Sequence, residues 1–270
     1  MLKYLELGIC GTDLKPSHPF IGSAIRGAFG YALRKASCPF VSANCEKCDI
    51  SGECVYNEFF ENVSDTPNFR LDINLNQKSF DFKILLFEHA VRYLPHVAIA
   101  IANMQEIGLE ASRRKFKFSN FTLNGEIVEP KFLLSNEPGP LNFTPDFAAG
   151  DYEISLLTPL RMKQKNVLVR REIDLKSFIR QIAMRFENIT GEAIDKFEVK
   201  FRRFEQDLRF YDINRYSNRQ HTKMQFGGLL GRMRVFGLDE RSAKFLQLAQ
   251  ITGVGKSTVF GLGKIKVERI

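Results

Sequence analysis

Gly253-Val254-Gly255-Lys256-Ser257-Thr258-Val259-Phe260-Gly261-Leu262-Gly263-Lys264 lies close to the C-terminus and decides between two folds. At first it reads as a phosphate loop, whose pattern is G-x-x-x-x-G-K-[ST]. Gly255-Lys256-Ser257 fits the end of that pattern, but the leading glycine would fall on Gln250. The segment follows a helical pattern instead of a strand, and too little chain remains after it for a nucleoside-triphosphatase domain. What is left is a glycine-rich turn into a last strand. Such glycine density lets backbone amides approach a phosphate chain closely, and Lys256 and Lys264 add charge.

Working back from this turn, alternation and helical periodicity give a strand over 152–157 and a helix over 174–189 with Asp174 as its N-cap. Strands over 199–211 and 224–236, a short helix over 240–251 and a closing strand over 260–267 complete this half. The order β-α-β-β-α-β is that of a ferredoxin-like domain. The first half repeats it with additions. A strand over 3–9 and a polar turn lead into a helix over 20–35, where Ile21, Ala24, Ile25, Ala28, Phe29, Ala32 and Leu33 form an apolar stripe. Arg26 and Arg34 fall off that stripe. A strand over 80–87 is followed by a helix from Pro95 to 107. A hairpin over 118–123 and 127–133 turns at Asn124-Gly125. The Pro/Gly/Asn-rich stretch 136–150 separates the halves, giving domains 1–149 and 150–270. The expected class is α+β: two tandem ferredoxin-like domains, the first with a cysteine-rich metal-clip insertion.

That insertion is Cys38-x6-Cys45-x2-Cys48-x5-Cys54, with Cys10 left over. Thiolates at this spacing suit tetrahedral zinc, and an iron–sulfur cluster also takes four cysteines. Either metal would be structural, since four thiolates leave no open position; a metal-free segment is the remaining alternative. The N-terminus lacks the apolar core of a signal peptide, and the apolar stretch 97–102 is too short to span a bilayer. The sequence therefore points to the cytoplasm and to no membrane partner, and a reducing compartment argues against disulfides.

Lys plus Arg number 39 against 31 Asp plus Glu, a net charge of +8 with a pI near 9.2. This balance favours a polyanion. The basic residues cluster in Arg113-Arg114-Lys115-x-Lys117, Arg161-x-Lys163-x-Lys165, Arg170-Arg171 and Lys200-x-Arg202-Arg203. Each cluster suits an RNA backbone or a solvated face.

With these segments in order, the sequence resembles the RAMP superfamily of CRISPR-associated proteins, and within it the branch of endoribonucleases that process CRISPR repeat RNA. The resemblance rests on the glycine-rich segment ending Phe260-Gly261-Leu262-Gly263-Lys264 and on Thr158-Pro159-Leu160-Arg161. It rests also on Arg215-Tyr216-Ser217-Asn218-Arg219-Gln220 ahead of Gln225–Gly231, and on Ile25–Gly30 in the first helix. It implies RRM-like halves and metal-independent cleavage of CRISPR repeat RNA, in which a ribose 2′-OH attacks the adjacent phosphate and leaves a 2′,3′-cyclic phosphate. It also implies repeat RNA or guide RNA, and other CRISPR effector subunits, as partners.

Such chemistry needs a base, an acid and cations on the phosphorane. Imidazole, with an unperturbed pKa of about 6.5, suits the proton transfers. The resemblance implies a catalytic histidine in or near the first helix, and His18 stands just before it. His221, in a basic hairpin, is the other candidate; His89 and His96 lie with apolar segments. The first helix itself holds Tyr31 and Lys35 and no histidine, which leaves room for a RAMP subunit that holds guide RNA without cutting it. The candidate catalytic set is thus His18, Tyr31 and His221. The candidate RNA contacts are Arg26, Lys35, Arg113, Arg114, Arg161, Lys163, Arg215, Arg219, Lys256, Gly261, Gly263 and Lys264.

Overall fold

Alternate residues Leu5, Leu7 and Ile9 are buried along β1 (Leu2–Thr12), the central strand of the first sheet in the computed structural model of the chain. The structure describes residues 1–12, 15–40, 44–61, 66–110, 112–135, 139–217 and 222–270. They form two units, Leu2–Phe143 and Thr144–Ile270, the latter with Met1.

In the first unit, α1 (Gly22–Ser37) follows β1, then β2 (Phe69–Asp72), β3 (Phe82–Phe87) and α2 (Leu94–Ile107). After these come β4 (Lys117–Leu123), β5 (Glu126–Val128), α3 (Phe132–Ser135) and β6 (Leu141–Phe143). The antiparallel sheet runs β2-β3-β1-β4-β5, and β6 pairs with the start of β1. Ile25, Phe29, Ala32 and Leu33 of α1 and Val97, Ile101 and Met104 of α2 supply the core. Asn124 (φ 53°) and Gly125 (φ 91°) make the β4–β5 turn, both left-handed as a two-residue hairpin requires. The strand expected over 127–133 stops at Val128. Pro130 has no N–H for the ladder, and Phe132 N bonds Glu129 O to begin α3.

The second unit comprises β7 (Gly150–Leu160), β8 (Lys163–Gln164), β9 (Val167–Leu168), α4 (Leu175–Thr190) and β10 (Arg203–Tyr211). It continues with β11 (Asn214–Ser217), β12 (Thr222–Gln225), β13 (Gly228–Leu238), α5 (Glu240–Thr252) and β14 (Ile265–Arg269). The Asp174 carboxylate caps α4 by accepting from Ser177 N, and left-handed Gly191 ends it. Its buried face includes Phe178, Ile179, Ile182 and Phe186. The sheet order is β10-β13-β7-β14.

Three expected strands shift. The one expected over 224–236 is two, because Phe226 N bonds Ile213 O and Gly228 passes too near β7 for any side chain: a Cβ would stand 2.6 Å from Leu160 O. The one expected from 199 starts at Arg203, because Lys200 N is held by Asp239 Oδ2. The last starts at Ile265, with Phe260 in a 3-10 turn, Thr258–Phe260. Among the described residues, no helix is long and apolar enough to cross a membrane.

Candidate nucleic-acid interface

Three separate segments of the second unit meet at the end of β7. Thr158 Oγ1 donates to Gly261 O (2.8 Å) and accepts from Lys264 N (2.9 Å). Gly263 N donates to Pro159 O, and Lys256 N to Arg161 O. The Arg161 guanidinium donates to Gly227 O and lies over the Phe226 ring, whose edge meets Phe260. Arg161, Lys256, Gly261, Gly263 and Lys264 are thereby brought into one cluster, with Lys256 exposed and Lys264 half-buried.

The glycines serve this packing. A Cβ on Gly263 (φ 72°) would lie 1.8 Å from Val254 O, and one on Gly255 (φ 76°) would lie 2.6 Å from Arg161 O. The amides of Val254, Lys256, Gly261, Gly263 and Lys264 are all spent on bonds within the fold. These five amides are already satisfied within the fold, and the charge here comes from side chains.

Sequence reading missed Arg185, whose buried guanidinium donates to Thr252 O and Thr258 Oγ1 at 2.9 Å each and so fixes the glycine-rich segment to α4. An arginine on the buried face of a strongly amphipathic helix was the available signal. Lys163 is exposed on β8, and its carbonyl accepts from Gln181 Nε2. Arg215 lies on β11. Arg219 and His221 lie outside the described residues.

In the first unit, α1 presents three faces. One is the apolar core face. On the second, Arg26 lies over Phe60 (4.6 Å) and Arg34 over Tyr56 (5.5 Å). Gly30 lets the Phe60 ring approach, since a Cβ there would be 2.6 Å from it. Burial, and then Glu61, push the Tyr56 hydroxyl up to about 12. The third face is open: Gly27, Tyr31 and Lys35 recur every four residues, and Tyr31 is 59 % exposed.

His18 is exposed on the segment leading into α1, and that segment is pinned on both sides. Ser17 N and Ser17 Oγ donate to the two oxygens of Glu110 at 3.0 and 2.8 Å. Arg114 also donates to Glu110, and its Nη2 donates to Ser17 Oγ and Lys15 O. Asn76 N donates to Pro19 O. Burial alone would raise the Glu110 carboxyl, but the hydrogen bonds from Arg114 and Ser17 outweigh it and hold it below its ordinary range. Arg114, expected on RNA, is thus spent on holding the histidine's neighbour, while Arg113 is exposed at a left-handed turn (φ 49°).

Cys38, Cys45, Cys48 and Cys54 are free thiols, half-buried. Cys38 Sγ donates to Phe40 O. Burial pushes the Cys45 thiol up, opposed by nearby Arg34 and reinforced by Glu61, Cys38 and Cys54. Among the described residues, no group of three or more His, Cys, Asp or Glu is placed to hold a metal ion. The tetrahedral clip expected from their spacing is not assembled among the described residues.

Residues 154–265 match the family model of the CRISPR-associated endoribonuclease Cas6. The match spans most of the second unit. Residues 11–138 match a family described as an N-terminal domain. An uncharacterized protein of Archaeoglobus fulgidus is 24 % identical over 275 residues, covering 93 % of this chain and 92 % of that protein. The structure of Thermus thermophilus Cas6 superposes with a TM-score of 0.55 at 12 % identity, over 99 % of this chain and 98 % of that one. A product complex of the same protein gives 0.60 at 12 % identity, over 99 % of both. At such identity the likeness is one of fold. The Cas6 match covers all three segments that meet at Thr158, so the Cas6-family signature and the spatial cluster coincide.

Proposed function

We propose that this chain is an endoribonuclease that cleaves CRISPR repeat RNA through attack of a ribose 2′-OH, with no metal in the reaction. The observation that carries the reading is the joining of Thr158–Arg161, Phe226-Gly227 and Gly253–Lys264 within the stretch that matches the Cas6 family model. Its two units are read as ferredoxin-like, each with strands in the order second-third-first-fourth and helices after the first and third. That one fold neighbour is a product complex accords with an RNA-cleaving role.

In this reading Arg161, Lys256 and Lys264 neutralise the phosphate chain. His18 transfers a proton at the 2′-OH or the leaving 5′-oxygen, a role worth on the order of 10²–10⁴-fold, and Tyr31 orients the reacting ribose. His221 is the alternative imidazole. CRISPR effector subunits are proposed as further partners. A structural zinc on Cys38, Cys45, Cys48 and Cys54 is a separate proposal that rests on their spacing; binding it would draw the thiols together.

Labelled repeat RNA incubated with the protein in EDTA tests the reading, with His18→Ala and Tyr31→Phe in parallel. Cleavage to a cyclic-phosphate end, lost in one of these variants, supports it. Tight binding without cleavage would replace it with an RNA-holding RAMP subunit, and no binding would overturn both.

A further inference from the structure

The β8–β9 hairpin and the N-terminal half of α4 enclose an open cleft of about 730 Å³, lined by Lys163, Gln164, Lys165, Val167, Asp174, Ser177, Arg180 and Gln181. That volume suits one or two nucleotides, within the range of about 300–1,000 Å³ usual for ligand sites. Four features make it a built site. First, the hairpin is tied to the helix through the bond from Gln181 Nε2 to Lys163 O (2.9 Å), so the walls are held before any ligand arrives. Second, Lys163, Lys165 and Arg180 bring three cations to it, and among the described residues none of them forms a salt bridge. The one carboxylate of the lining, Asp174, caps the helix through Ser177 N, and that bond, with Arg180 and Lys176 nearby, holds it below its ordinary range; it offsets part of the positive charge.

Third, the Gln164 side-chain nitrogen is shielded from solvent and has no hydrogen-bond partner among the described residues. A donor left unpaired is costly, and an acceptor in the cleft would remove that cost. Fourth, the hairpin turns on Lys165 (φ 48°) and Asn166 (φ 63°), both left-handed. That is what a two-residue hairpin between β8 and β9 requires. Here it places a lysine at the cleft. Lys163 lies two residues beyond Arg161, whose guanidinium belongs to the glycine-rich cluster.

We infer that this cleft is a second RNA-binding site, taking a single-stranded stretch of the substrate that runs on from the cluster at Thr158. Lys163, Lys165 and Arg180 neutralise its phosphates, and Gln164 donates to a phosphate or base oxygen. This inference rests on the RNA reading above and adds to it a binding site on the other side of Arg161.

The test measures the Kd of the full chain for its labelled repeat RNA across a series of salt concentrations, for the wild type, the double variant Lys165→Gln/Arg180→Gln, and Gln164→Glu. Lys165 and Arg180 are exposed, so the double variant keeps the fold, and an unchanged thermal melt verifies this. Each phosphate contact contributes about 0.7 to the slope of log Kd against log salt for a single strand. The double variant is therefore expected to lower that slope by about 1.4 and to weaken binding at every salt concentration. Gln164→Glu, close in shape but anionic, is expected to weaken binding at least tenfold. Wild-type slope and affinity in both variants overturn the cleft alone. A wild-type chain that binds no RNA overturns the cleft together with the function proposed above.

Discussion

Glu110→Gln is nearly isosteric, yet it should loosen the segment that carries His18. In the wild type, Glu110 accepts from Ser17 N, Ser17 Oγ and Arg114, and its side chain is only 12 % exposed. A glutamine keeps one acceptor but turns an amide NH₂ toward donors. Hydrogen bonds to charged groups contribute about 1.5–3 kcal/mol each. Arg114 is 37 % exposed, and solvent screening reduces its share. A net loss of about 2 kcal/mol follows, a fall in Tm of roughly 4–8 °C for a chain of this size.

The sign of the pH dependence follows from the lowered carboxyl. The stabilisation is fully present above the unfolded value of about 4.3 and is lost as pH falls through the lower folded value. The gap between wild type and variant should be widest near neutrality and close below about pH 4. Thermal or urea unfolding from pH 3 to 8 measures it. A variant within about 0.5 kcal/mol of wild type at pH 7, or a gap that persists in acid, would refute the clamp. If His18 transfers a proton, the same variant should slow single-turnover cleavage while RNA affinity holds.

Gly263→Ala should cost at least about 2 kcal/mol, since it forces a side chain into a left-handed position against Val254 O; equal urea midpoints would contradict this. Arg185→Leu should destabilise by about 2–3 kcal/mol, because it strips the partners from Thr252 O and Thr258 Oγ1 in the core. It should also weaken RNA binding by loosening the glycine-rich segment, and a stable variant with wild-type affinity would count against that. Metal analysis of protein purified without chelators should give about one zinc per chain on the proposal drawn from the cysteine spacing; finding neither zinc nor iron would end it.

Local signals carried the element order. The apolar stripe of α1, the Asp174 cap of α4, the Asn124-Gly125 turn and the alternation in β1 are written in neighbouring residues, so their reading needed no partner. The short strands β2 and β6 lack such a signal, since a few residues gain strand geometry only by pairing with β3 and β1. The break at Phe226-Gly227 was equally silent, because it follows from the closeness of β7.

The candidate site divides in the same way. Its residue types and their order along the chain marked Thr158–Arg161 and Gly253–Lys264 in advance. Only the tertiary structure showed that five of the loop amides are already spent, that Arg114 serves Ser17 across nearly a hundred residues, and that Lys163, Lys165 and Arg180 share a cleft. These depend on which distant groups meet. Periodicity sets which face of an element is apolar; it does not set which side chain arrives on the polar face opposite, and that meeting decides whether a cation is spent on the fold or left for a ligand.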